Sequence, residues 1–118
     1  MESRIRGALG EVRAEQLLTD KGYTILARHV VSPGAEIDLI AEDRGVIVFI
    51  EVKTRTRAGM SGREAVTPAK QRRVCKGAMH YLMKNGLMHR QARIDVIEIQ
   101  GDCVTHIVDA FPYQGPAF

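Results

Sequence analysis

Aromatic residues are scarce: tryptophan is absent, and three tyrosines and three phenylalanines are the whole complement in 118 residues. With no helix-turn-helix, zinc-finger or RNA-recognition pattern either, base-by-base reading of a nucleic acid is disfavoured, because it needs stacking side chains or a dedicated recognition element. Cysteine is scarcer still. Cys75 and Cys103 have no C-x-x-C or Cys/His spacing, which argues against a disulfide scaffold or a zinc site; both are expected as reduced core thiols of a cytoplasmic protein. No run approaches the ~18 apolar residues of a membrane helix. Met1 to Arg6 leads into charged residues rather than an apolar signal core, so neither secretion nor a membrane partner is expected. Repeats, low-complexity tracts and long linkers are missing too, so one domain over residues 1–118 is expected, with 112–118 as a terminal tail.

What is present is an ordinary apolar fraction, 45%, enough for one core. Gly7 to Lys21 reads as a helix ending at Gly22, with Ala14, Leu17 and Leu18 on the core face and Ile5, Leu9 and Val12 roughly opposite. Tyr23–Val31, Glu36–Glu42 and Val46–Thr54 read as strands, with turns at Ser32-Pro33-Gly34 and Arg44-Gly45. Thr67-Pro68 supplies an N-cap and a first-turn proline for a second helix running to Asn85-Gly86, whose Val74, Ala78, Tyr81 and Leu82 form a core-facing stripe. Ala92–Gln100 and Val104–Ala110 complete an α/β order of α-β-β-β-α-β-β.

Acids occur where a sheet should not want them. A two-residue loop at Arg44-Gly45 sets Asp38 opposite Glu51 and Glu36 opposite Lys53 on one face, with Ile37, Val52, Leu39 and Ile50 on the other. Two facing carboxylates repel and call for a cation. They also offer the hard-oxygen ligands that suit Mg²⁺ or Mn²⁺, with Lys53 as an electrostatic clamp on a phosphodiester transition state. The competing arrangement is a plain Glu36–Lys53 ion pair with Asp38 and Glu51 edging into solvent. Glu11 projects between Leu18 and Ala14 toward the sheet, either as a further ligand at the acid cluster or as a core-edge acid; Glu15, one turn on, is expected to be solvated. The four histidines are scattered over different elements and do not suggest a histidine-based site.

Gly10-Glu11-Val12-Arg13-Ala14, Gly22-Tyr23, Leu26-Ala27-Arg28, Ala35-Glu36-Ile37-Asp38-Leu39-Ile40-Ala41 and Val48-Phe49-Ile50-Glu51-Val52-Lys53-Thr54-Arg55 together resemble the YraN family of small bacterial proteins. Glu64-Ala65-Val66-Thr67 with Lys70, Ala92-Arg93-Ile94-Asp95-Val96 and His106 to Phe111 extend the resemblance over nearly the whole chain. Ala35 and His29 depart from it, standing where the family usually has Gly and Asn. That family is similar in fold to the PD-(D/E)xK nucleases, particularly archaeal Holliday-junction resolvases. The resemblance implies a restriction-endonuclease-like mixed central sheet flanked by helices, metal-ligating acids at Asp38 and Glu51, a catalytic Lys53 and an acidic helix position at Glu11.

The net charge of +3 hides a strong asymmetry. From Lys53 to Lys76 the chain carries Lys53, Arg55, Arg57, Arg63, Lys70, Arg72, Arg73 and Lys76 against one acid, Glu64, leaving −4 for the remainder. A basic flank beside a carboxylate cluster is what phosphate-backbone binding requires, although a solvated helix face would give the same composition. The expectation is a Mg²⁺- or Mn²⁺-dependent endonuclease-like protein acting on nucleic acid, DNA rather than RNA and structured or branched, by attack of activated water on phosphorus. The alternative is a nucleic-acid-binding adaptor that keeps the fold without turnover. A homodimer would suit a two-strand substrate.

Overall fold

A computed structural model of the chain describes residues 2–55 and 66–112, with side chains from 9–54 and 66–112. Arg57, Arg63, the side chain of Arg55 and the tail after Pro112 lie outside the described residues. Helix α1 (Glu2–Asp20) is followed by β1 (Thr24–Ser32), β2 (Ala35–Asp43), β3 (Val46–Arg55), α2 (Pro68–Lys84), β4 (Ala92–Gln100) and β5 (Cys103–Phe111), the expected order. Helix α1 begins five residues earlier than its apolar pattern indicates, because Glu2 to Arg6 has no helix breaker. It closes in a Schellman arrangement, the Tyr23 N–H donating to Leu18 O and the Gly22 N–H to Thr19 O. Thr67 caps α2 by accepting from the Lys70 N–H, with Pro68 in the first turn.

The five strands lie in chain order in one sheet, antiparallel except for the parallel β3–β4 pair, whose crossover contains α2. Each helix covers one face. On the α2 side, Ile40, Ile47, Phe49, Ile94 and Val96 pack with Val74, Ala78 and Leu82. On the α1 side, Leu39, Ala41, Val48, Ile50, Ile97 and Ile99 pack with Ala14 and Leu18. The central strands are therefore buried on both faces, which is why β3 begins with the unbroken apolar run Val46-Ile47-Val48-Phe49-Ile50. Leu9 and Val12, on the far side of α1, remain 60% and 65% exposed.

Positive φ at both Arg44 and Gly45 gives the tight turn that matches strand twist, and it fixes the β2–β3 register from Asp43↔Val46 to Leu39↔Ile50 as expected. Beyond that point the expectation fails. The ladder does not continue to Asp38 and Glu51, and Glu36 does not face Lys53; Glu36 pairs with Val31 of β1 instead. Ile37 joins the α2-side core with Ile40, so the inward alternation of β2 resets between them; it does not share the face of Leu39 and Ile50. In β1, Ala27 and Val30 reset in the same way around His29, which has φ +50°, and histidine is among the non-glycine residues that tolerate that conformation. The β1–β2 ribbon thus bends as one unit and leaves β3. A second correction concerns Cys103, which is exposed at the start of β5; only Cys75 is a buried thiol.

Candidate active site

Where β2 and β3 separate, the sheet loses a backbone acceptor and the Asp38 side chain replaces it. Its Oδ2 accepts from the Val52 N–H at 2.8 Å, which fixes the carboxyl between the diverging strands. Glu51, on the α2 face of β3, is 4% exposed. Its Oε1 lies 3.0 Å from Lys70 Nζ of α2 and 3.7 Å from Lys53 Nζ of its own strand. Glu51 therefore does not edge into solvent, Asp38 is half-buried, and Lys53 compensates Glu51 rather than Glu36.

Both carboxyls titrate above the usual range. For Asp38 the main cause is burial; the Val52 N–H and Lys70 oppose it, and the charges of Glu11 and Glu36 add to it. For Glu51 burial again leads, followed by the charge of Asp38, against the stabilising pull of Lys70 and Lys53. Each acid raises the other or is raised by its neighbours, so the pair forms one electrostatic unit.

Glu11 lies at the rim of this unit. Its Oε2 is 2.6 Å from Nε2 of His29, whose Nδ1 is 3.9 Å from Glu36 Oε1, so the β1 bend ties α1 to the start of β2. Glu15 lies at the surface in an exposed ion pair with Arg28, whose Nε donates to it at 2.9 Å and holds its carboxyl below the usual range. Of the expected basic contacts, Lys70 reaches the acid pair, while Arg72, Arg73 and Lys76 are exposed along α2.

Among the described residues, no group of three or more His, Cys, Asp or Glu side chains is gathered tightly enough to form a metal cage. The Asp38–Glu51 pair is nonetheless chemically suited to Mg²⁺ or Mn²⁺. Such hard ions take one or two carboxylates and keep water or substrate oxygens in their remaining positions.

Asp95, which on sequence could bond a helix end or support the site from a neighbouring strand, instead centres a second polar cluster. Asp95 is fully buried on β4 and receives His106 Nε2 at 2.7 Å, Arg93 Nε at 3.0 Å and the Asp109 N–H at 2.9 Å. Arg93 also reaches Tyr23 Oη at 2.6 Å and Asp43 at 3.2 Å, and Lys21 Nζ is 2.9 Å from His106 Nδ1. Burial alone would raise the Asp95 carboxyl, but the bonds from His106, Arg93 and Asp109 outweigh it and hold the group below the usual range. The cluster pins β5 and the end of α1 to β4. Its visible signs were the Arg93-x-Asp95 pair at the start of the strand and His106.

No helix among the described residues is long and apolar enough to cross a membrane. The model for the family described as "Uncharacterised protein family UPF0102" matches residues 10–99, which contain Glu11, Asp38, Glu51, Lys53 and Lys70. A UPF0102 protein of Symbiobacterium thermophilum is 50% identical over 100 residues, covering 83% of this chain and 84% of the relative. One from Persephonella marina is 39% identical over 112 residues, covering 94% and 97%. Another from Geobacter sulfurreducens is 38% identical over 115 residues, covering 92% and 90%. With the family pattern running from α1 to the end of β4 and such relatives matched over most of their length, the chain belongs to the UPF0102 family, the family of YraN.

Proposed function

We propose that this protein is a divalent-metal-dependent endonuclease-like hydrolase of nucleic acid, acting on structured or branched DNA. The observation that carries the reading is the pair of carboxyls, half-buried Asp38 and buried Glu51, set at a strand separation with two lysines against them. A sheet gains no stability from such an arrangement, since burial and mutual repulsion both oppose its ionisation, and strained titrations of this kind concentrate at functional sites.

Asp38 and Glu51 would hold Mg²⁺ or Mn²⁺, with Glu11 at the rim. The ion, when bound, supplies charge stabilisation at a phosphoryl oxygen and acidifies water. The chain's own residues do the rest. The Val52 N–H orients Asp38 by bonding Oδ2, so the other carboxyl oxygen is the one that would serve the ion. Lys53 and Lys70 hold positive charge beside Glu51, where a phosphodiester gains negative charge on its way to the pentacoordinate state. Exposed Arg72, Arg73 and Lys76 extend that positive potential along α2, where it receives the neighbouring phosphates.

The test is incubation of linear, flapped and four-way DNA with Mg²⁺ or Mn²⁺. The expected outcome is cleavage that Asp38→Asn and Lys53→Ala each abolish. In parallel, Mn²⁺ should raise the melting temperature of the wild-type protein and leave Asp38→Asn unmoved. No cleavage of any substrate, or cleavage indifferent to both substitutions, overturns the reading. The absence of a three-acid cage among the described residues favours one alternative, a non-catalytic nucleic-acid binder; it predicts salt-sensitive DNA binding with no metal-induced stabilisation.

A further inference from the structure

Beside the acid pair, between the β1–β2 turn and the first turns of α2, lies an open groove of about 410 Å³. Val31, Ser32, Glu36, Lys70, Arg73 and Val74 line it. Three of its features do not follow from the acid pair. Val31 is 73% exposed, an apolar surface for which the sheet has no use. Arg73 is exposed on the opposite wall, and Glu36 adds a negative charge that would repel a run of phosphates. A trough that tracked a duplex backbone would be basic throughout; this one is basic on the α2 wall, while the β wall sets apolar Val31 beside its cross-strand partner Glu36.

We infer that this groove binds a single unpaired nucleotide of the DNA strand next to the cleaved phosphate. The inference rests on the reading above for the position of that phosphate. Lys70 links the two places, since it lines the groove and its Nζ lies 3.0 Å from Glu51. The phosphate between the acid pair and the groove meets Lys70. The base then lies between Val31 and the Arg73 guanidinium, whose flat face stacks on any base. Glu36 accepts from base N–H groups, which a paired base has already committed to its complement. The open groove of about 410 Å³ has room for one nucleotide. Selectivity for forked or flapped DNA over a fully paired duplex follows from this pocket, because a fork or flap presents an unpaired nucleotide beside a duplex.

The experiment measures fluorescence anisotropy of a labelled forked duplex and a fully paired duplex of equal length, both in EDTA. The wild-type protein is expected to bind the fork about tenfold more tightly, the scale of one stacked base. Val31→Asp and Arg73→Ala should each bring the ratio of the two affinities to about one, with unchanged circular-dichroism melts. Equal wild-type affinities, or a preference that survives both substitutions, overturn the inference. Cleavage of both probes with Mg²⁺ or Mn²⁺ then separates the two claims. Fork preference without any cleavage supports the groove and removes the hydrolytic reading. Asp38-dependent cleavage with no fork preference leaves the hydrolytic reading and overturns the groove.

Discussion

Two acids of this molecule, half-buried Asp38 and buried Asp95, contribute to stability with opposite signs. Asp38 has a folded-state titration above its unfolded value, so the native state binds more protons than the unfolded chain and stability falls as pH rises through that raised range. At neutral pH the ionised carboxyl therefore opposes folding. Asp38→Asn keeps an oxygen for the Val52 N–H and removes the charge, and it is expected to stabilise the protein by about 1 kcal/mol at pH 7, raising the melting temperature by about 4 °C. The gain should vanish at acid pH, where wild-type Asp38 is protonated, which melts across a pH series will show. Asp95 behaves in the reverse sense. Its carboxyl is held down, so its stabilisation is complete above the unfolded pKa and is lost as pH falls through the folded one. Asp95→Ala leaves Arg93 and His106 without their buried partner and is expected to cost about 3 kcal/mol or more at pH 7 by urea unfolding. A protein that gains stability on losing one acid and nearly unfolds on losing the other has a site and a scaffold distinguishable by a single melt.

At the scale of the element, α2 has to approach the sheet closely for Lys70 to reach Glu51, and Gly77 is what permits it. A β-carbon there would lie 3.0 Å from Ala35 Cβ and 3.2 Å from Ile37 Cδ1, both on the bent part of β2. Gly77→Val is expected to destabilise by about 1–3 kcal/mol through overpacking. It should appear as a lower urea midpoint at unchanged slope, because the crowded α2 has to move away from the bent part of β2. How much was legible in the sequence follows from the same elements. The order of elements and the Leu39↔Ile50 register were legible because the turn at Arg44-Gly45 and the Thr67-Pro68 cap are local codes. The bend at His29 and Asp38 was not, because it resets β1 and β2 together and a strict two-residue alternation has no sign for it. Asp38, Glu51 and Lys53 could be grouped from one hairpin, whereas the Lys70–Glu51 contact depends on a helix returning across the sheet. The Tyr23–Arg93 contact joins residues from two ends of the chain, beyond the reach of any local pattern.

Over the whole molecule, charge is segregated. The 24-residue segment from Lys53 to Lys76 carries +7 and the rest −4, so a net of +3 understates the field near α2. That segment leaves the sheet at the end of β3, beside the acid pair, and returns through α2, whose Arg72, Arg73 and Lys76 face solvent. If they contact phosphates, each displaces condensed counterions and adds close to one unit to the slope of log affinity against log salt. Replacing both Arg72 and Lys76 with Ala is therefore expected to reduce that slope by about 2, measured as anisotropy of labelled duplex DNA from low salt to about 200 mM. Asp38→Asn should leave the slope unchanged, since it removes no phosphate contact, even while it abolishes cleavage. An identical slope in the double Ala variant would make the α2 cations a solvated helix face. The +7 segment would then have to act through the residues around Arg57 and Arg63, which Arg57→Ala and Arg63→Ala would reveal in the same titration.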